Sequence, residues 1–332
     1  MTSPAAGEGP PPGGRLKRYK TLYFFGAGAS AAEEPAAPTS ADLLRGGLSR
    51  RQDQYQTLRK FLSGWGFVGD RQLPTIEELL SILDTCLSKG EPIRQAWSLS
   101  DLAKCREELV SCIYDYIGDT LDVQTNGHKE RSLYRKLISQ APAESTSLIS
   151  LNYDLLLDHA LLQLGLQPDY ALDFFEGHAP TSSRGTMRLY KLHGSLNWGY
   201  CPSCFSTVLT QDRRLRADEV CPNCEGPIRL LVIPPTPLKV PPSPFLSALW
   251  KKAEWELAQA KEIVFIGYSL SESDANIRYM LFRGFFASAP KVTVVLKEPP
   301  SDPASPVMGR YERLFPGGVE FFSSGFESYL QR

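Results

Sequence analysis

Neither sign of charge dominates this chain: its 332 residues hold 36 Lys and Arg against 37 Asp and Glu, a formal net charge of -1. That balance excludes the global basic field that draws a protein onto nucleic acid or anionic lipid, and leaves room only for local patches. No apolar run approaches the roughly 20 residues that a bilayer-crossing helix needs. The stretch from Met1 to Gly14 is mostly Pro, Gly and Ala with no apolar signal core, so residues 1–18 are expected to form a disordered, non-targeting tail. Histidine is scarce, at 4 residues, which limits where an imidazole base can sit.

The most specific feature present is a set of four cysteines. Cys201-Pro-Ser-Cys204 and Cys221-Pro-Asn-Cys224 are separated by 16 residues. Each pair offers two sulfurs from one tight knuckle, and the loop between them is long enough to bring the second knuckle back to the first, as one tetrahedral Zn2+ requires. Such a site is closed, with no position for water, and is structural. Two disulfides or redox dithiols are the competing reading. The absence of a secretory signal, and the lack of any pairing pattern in Cys86, Cys105 and Cys112, favour a reducing, cytoplasmic setting instead.

Short β-branched and aromatic runs recur at Thr21 to Phe25, Ser147 to Leu151, Met187 to Leu192, Glu262 to Ile266, Lys291 to Leu296 and Val319 to Phe322. Several are separated by segments with helical periodicity, which predicts an α/β fold with a doubly wound, mostly parallel sheet. Between Leu43 and Tyr134 the pattern is helical only. Ile76, Leu79, Leu80 and Leu83 share one helix face, as do Leu109, Cys112, Ile113 and Tyr116. Residues 43–134 are therefore expected to be a helical insertion, and 199–232 a small zinc module, within one domain spanning 19–332. The proline-rich stretch from Pro234 to Pro244 would lead stiffly back to the sheet.

Four segments follow predicted strands and so belong at the carboxyl edge of the sheet, where open α/β folds bind ligands. Gly26-Ala27-Gly28-Ala29-Ser30 is a glycine turn whose backbone could approach a pyrophosphate. The acidic ribose ligand expected about 20 residues further on is not evident, which argues against an ordinary dehydrogenase. Asn152 and Asp154 lie just after the second strand, where they could face a ligand or cap the helix from Leu155 to Leu164. His193 ends the next strand beside Gly194 and could transfer a proton. His128, His159 and His178 sit in no comparable context. Gly267-Tyr268-Ser269 joins a turn to hydroxyls able to meet ribose or phosphate oxygens, while Ser273 or Asp274 could cap the following helix.

In this order the glycine turn, Asn-Tyr-Asp, Leu-His-Gly, the cysteine pairs and Gly-Tyr-Ser-Leu resemble the sirtuin family, NAD-dependent deacylases and their NAD-cleaving relatives. The resemblance runs from Tyr23 to about Leu296 and implies a Rossmann-like fold with NAD+ as substrate. It assigns the cofactor phosphates to Gly26, Ala27, Gly28 and Ser30, the nicotinamide ribose to Asn152 and Asp154, the catalytic base to His193, and the adenosine half to Gly267, Tyr268 and Ser269. Deacylating sirtuins carry an Ile-Pro-Asp-Phe-Arg type segment after the glycine turn, where this chain reads Ala31 to Leu44 with no Phe-Arg pair. Leu151 replaces their Gln before Asn, and Leu231-Val232-Ile233-Pro234-Pro235 replaces their segment after the zinc pairs.

The chain is thus similar to bacterial sirtuin-like domains that destroy NAD in antiphage defence, although many of those lack zinc. The resemblance implies hydrolysis of NAD+ to ADP-ribose and nicotinamide. Lysine deacylation is the alternative, and a non-catalytic NAD or ADP-ribose sensor subunit is a third reading, which would need neither Asn152 nor His193. The helical insertion is further expected to carry a homo-oligomer interface, or one for a partner defence protein, that gates the pocket.

Overall fold

The structure is a computed structural model that describes residues 21–33, 37, 40–67, 73–93, 96–122, 131–174, 185–210, 213–216, 218–233, 244–272, 274–297 and 306–332. The expected tail 1–18, the proline-rich stretch 234–243, and Pro38, Thr39, His128, His178 and Ser273 lie outside the described residues.

The chain opens with β1 (Thr21–Phe25), a one-turn α1 (Ala27–Ala31), and then α2 (Ser40–Arg50), α3 (Gln56–Trp65), α4 (Ile76–Lys89), α5 (Leu99–Asp122) and α6 (Leu133–Gln140). It returns to the sheet with β2 (Thr146–Ser150), α7 (Leu156–Gln163), β3 (Gln167–Asp169) and β4 (Thr186–Lys191). A small sheet follows, of β5 (Gly194–Tyr200), β6 (Thr207–Leu209) and β7 (Arg229–Val232). The last part is α8 (Pro244–Leu257), β8 (Glu262–Ile266), α9 (Ala275–Ser288), β9 (Lys291–Val295), α10 (Pro306–Leu314), β10 (Glu320–Phe322) and α11 (Gly325–Tyr329).

The main sheet has seven strands in the order β10-β9-β8-β1-β2-β4-β3, and every pair in it is parallel. This is the doubly wound sheet that the strand-length apolar runs predict. β2 is buried at all five positions because helices cover both faces, which is why its sequence does not alternate. β1 lies at the centre, with β2 on one side and β8 on the other. The chain leaves β1 in both directions, so the crevice at its carboxyl end is the topological switch point.

The helical insertion closes on a core of its own. α5 is its axis, with α2, α3 and α4 packed around it. Leu79, Leu80, Leu83, Leu109, Cys112 and Ile113 are all fully buried there, while Tyr116 lies at the margin. α4 begins with a capping box, in which Thr75 N donates to Glu78 Oε2 at 2.8 Å and Glu78 N to Thr75 Oγ1 at 3.1 Å. The apolar stripes face each other inside the protomer. Among the described residues of the insertion, the large apolar side chains left exposed are Trp65 and Leu99. No helix among the described residues is long and apolar enough to cross a membrane.

At the switch point two turns meet backbone to backbone. Gly28 N donates to Gly267 O at 2.8 Å. A Cβ at Gly26 would lie 2.6 Å from Tyr268 Cα, and one at Gly267 only 2.0 Å from Ala29 N. Gly267 also has φ of +63°. Gly267→Ala should therefore lower stability by about 3 kcal/mol, from left-handed strain together with overpacking. Denaturant unfolding checks this, and an unchanged midpoint would show that the two turns can separate without cost.

Candidate active site

The residues singled out after β1, β2 and β4 converge at this crevice. Asn152 does not cap α7. Its Nδ2 donates to Gly26 O at 2.9 Å and to Ser30 Oγ at 2.8 Å, which ties the end of β2 to the turn after β1. A carbonyl can only accept, so these bonds fix which way the amide faces and turn Oδ1 away from the glycine turn. Asp154 partly serves the capping role, accepting from Leu156 N at 3.1 Å. Its buried carboxyl is raised above the ordinary carboxylate range by desolvation, against the opposing pull of the Lys191 ammonium and a hydrogen bond from Ser30.

Lys191 is fully buried inside β4, a position that demands partners. It donates to Asp158 Oδ2 at 2.9 Å and to Asp154 O at 2.5 Å, and Tyr170 OH donates to Asp158 Oδ1 at 2.5 Å. This pair fixes the end of β4, two residues before His193. His193 Nδ1 faces the carbonyl of Leu151 at 3.1 Å and must carry the hydrogen in that bond, which makes Nε2 the nitrogen able to accept a proton. The imidazole packs near the rings of Tyr153, at 6.0 Å, and Trp250, at 6.5 Å. Those rings are held in turn, because Tyr153 OH donates to Ile233 O and Trp250 Nε1 to Leu192 O, both at 2.7 Å.

The glycine turn, expected to cradle phosphates, also meets a second turn of the protein. The N–H groups of Gly26, Gly28 and Ala29 are engaged with the carbonyls of Ile266, Gly267 and Gly26. Its glycines are required by the close approach of the Gly267 turn, and Ala27 and Gly28 form its exposed rim. Tyr268, expected at the adenosine half, is a core residue: its ring packs on Phe24 at 5.4 Å and its OH donates to Asp274 Oδ2 at 2.9 Å. Asp274 stands at the N-cap of α9 without a side-chain capping bond. Ser269 is exposed beside Arg310, which donates to its carbonyl.

Two contributors carry no sequence signal. Tyr134, at the end of the insertion, places its OH 2.9 Å from Ser30 Oγ, and an aromatic in an apolar helix stripe reads as core. Glu33 is buried and accepts from Tyr134 N at 2.7 Å and from Ser132 Oγ at 3.3 Å.

The four cysteines also come together as their spacing predicts. Their Sγ atoms all lie within 4.8 Å of one another, with Cys201–Cys224 at 3.5 Å and Cys204–Cys221 at 3.6 Å. Those separations exclude disulfides and approach the edge of about 3.8 Å that a tetrahedron of 2.3 Å zinc–sulfur bonds would have. The knuckles are twins: Phe205 N donates to Cys201 O and Glu225 N to Cys221 O, both at 2.8 Å, with φ of +61° and +58° at those residues. The cluster could hold zinc.

Residues 146–310, about half of the chain, match the family model described as SIR2-like domain, and the chain belongs to that family. Among solved structures it is similar to a Sir2 homologue mutant in complex with ADP-ribose, with 16% identity over 95% of this chain and 92% of the other and a TM-score of 0.48. It is also similar to a Sir2 homologue–NAD complex, with 17% identity, coverage of 95% and 90%, and a TM-score of 0.48. A third is Sir2Tm bound to a propionylated peptide, with 13% identity, coverage of 94% and 91%, and a TM-score of 0.45. No curated protein matches the chain.

Burial pushes the Glu33 carboxyl up from 4.5 to about 7, outweighing its hydrogen bonds from Ser132 and the α6 amides. Between those two values the unfolded chain releases a proton that the folded chain keeps, so this contribution to stability, present in full below 4.5, is lost as pH rises through about 7. Asp154 and Glu256, also raised by burial, act with the same sign. Glu33→Gln should flatten the fall in melting temperature between pH 5 and 8. An identical slope in both proteins would remove Glu33 as its source.

Proposed function

We propose that this protein cleaves NAD+ at the bond between nicotinamide and the anomeric carbon and hydrolyses it to ADP-ribose and nicotinamide. The observation that carries this reading is the pairing of a fixed Asn152 with a His193 of defined tautomer at the switch point. Asn152 Oδ1 is then an acceptor for a water or a ribose hydroxyl, and His193 Nε2 a proton acceptor at the end of the neighbouring strand. In the reaction water oxygen bonds to the anomeric carbon, and the electrons of the breaking carbon–nitrogen bond go to nicotinamide. The proton of the water goes to His193. Developing positive charge on the sugar is met by the Asn152 oxygen and the Asp154 carboxyl.

The likeness to antiphage NAD-destroying domains supports a defence role in the cytoplasm, where thiolates stay reduced. A gating assembly stays part of this proposal, although the insertion's apolar stripes supply no face for it. The phosphates are assigned to the Ala27–Gly28 rim and Ser30, and the adenosine half to the Gly267 turn, with Ser269 as its exposed member.

Incubation with NAD+, with and without an acetylated peptide, tests the reaction. ADP-ribose should form without peptide. An acetylated ADP-ribose product formed only with peptide would establish deacylation instead, and binding without turnover would establish a sensor. Asn152→Ala and His193→Ala should each lower turnover by at least about a hundredfold with melting curves near wild type. Retained turnover in either would remove that residue from the chemistry.

We further propose that the cysteine cluster binds one structural zinc per chain. Metal analysis should give that stoichiometry, and Cys204→Ala should lower the melting temperature before it alters turnover at permissive temperature. Pure protein without zinc, with all seven thiols titrating in the native fold, would overturn the assignment.

A further inference from the structure

We infer that Tyr134, in the first turn of α6, is a positioning residue for the Asn152–Ser30 pair. The catalytic consequence rests on the NAD-cleavage proposal, whereas the positional one stands on geometry alone.

Ser30 Oγ is the hub. It accepts from Asn152 Nδ2 at 2.8 Å and lies 2.9 Å from Tyr134 OH. A hydroxyl has one hydrogen and two lone pairs. With one lone pair meeting Asn152, the contact with Tyr134 OH uses either the second lone pair or the Ser30 hydrogen. Either way Ser30 Oγ is held between two neighbours. Tyr134 OH also lies 3.5 Å from Asn152 Nδ2, close enough to share its hydrogen weakly.

Tyr134 itself cannot drift. Its side chain is buried, with its ring edge-on to Phe25 at 5.2 Å and to Phe326 at 5.9 Å. Its backbone N–H is held by Glu33 at 2.7 Å. Phenylalanine would satisfy these packing contacts equally well, so the hydroxyl is what needs explaining. Without it Ser30 loses a hydrogen-bond partner in a buried place and gains freedom to rotate. One Asn152 amide hydrogen then loses its fixed acceptor, and Oδ1 loses its fixed direction. Through this contact α6 contributes a side chain to the candidate site.

Tyr134→Phe tests the role, because it keeps the ring and removes only the oxygen. The variant should fold, bind ADP-ribose as wild type does, and turn over NAD+ about tenfold more slowly, as loss of one orienting hydrogen bond implies. In [15N]asparagine-labelled protein, the side-chain NH2 of Asn152, identified by its loss in Asn152→Asp, should exchange with solvent faster in the variant. Equal exchange in the two proteins would overturn the positioning role, as would equal kcat. A joint loss of ADP-ribose affinity and melting temperature would assign Tyr134 to packing instead. If wild type cleaves no NAD+, the reaction proposal falls, and amide exchange still decides the role of Tyr134.

Discussion

The hydrogen bond from Gly28 N to Gly267 O, with the backbone contact around it, is the constraint on which the site depends. It joins the turns that leave two adjacent parallel strands, β1 and β8, so closely that side chains are excluded from both sides of the contact. Once the turns are locked, the Gly26 carbonyl has a fixed direction and can serve as an anchor for a side chain from the third strand. Asn152 uses it. A side-chain amide thereby braces three neighbouring strands at the edge where ligands bind, and the position of its free oxygen follows from backbone geometry.

The cost of this arrangement is a cluster of buried polar groups beneath the site. Asp154, Asp158, Lys191 and His193 are all nearly or fully buried. Such groups persist only where each finds a partner. Lys191 meets a carboxylate and a carbonyl, Asp158 meets a tyrosine as well, and His193 meets a carbonyl. An apolar replacement of the Lys191–Asp158 pair could be as stable. What the charged pair adds is direction: it ties the end of β4 to α7 and to the loop from Asn152 to Leu155, and so sets the spacing between the two candidate reacting groups.

Most of the sheet was legible because parallel strands buried on both faces leave continuous apolar runs, and Glu262–Ile266 is read to the residue. β3 and the small sheet were not, since three-residue strands such as Gln167–Asp169 carry no period. The four cysteines were legible from spacing alone, because a metal's geometry is local. Asn152, Asp154 and His193 were legible as strand-end polar residues, but their directions were not, since these depend on contacts more than 30 residues apart along the chain, such as His193 to Leu151. Gly26 and Gly28 were read as a ligand cradle; that they also admit another turn of the protein was not legible, since a sequence cannot say which backbone a glycine lets in. Tyr134 and Glu33 stayed hidden for the opposite reason: in one dimension a buried tyrosine looks like packing and a glutamate in a loop looks solvated.

The small sheet connects these parts. β5 begins at Gly194, directly after His193, and Ile233 N donates back to His193 O at 2.8 Å, so the candidate base sits at the root of the cysteine module. From that root Trp198 enters the main core, while Leu196 and Val232 enter the core of the insertion. Arg214, between the two knuckles, donates to Asp119 of α5 at 2.7 Å, and Arg51 of the loop after α2 grips the same carboxylate. A module of this size has too little apolar area to fold by itself, and a closed tetrahedron of thiolates would supply the missing cross-link. Metal at the cysteines would therefore act on the chemistry at a distance, by holding the strand that carries His193 against both cores.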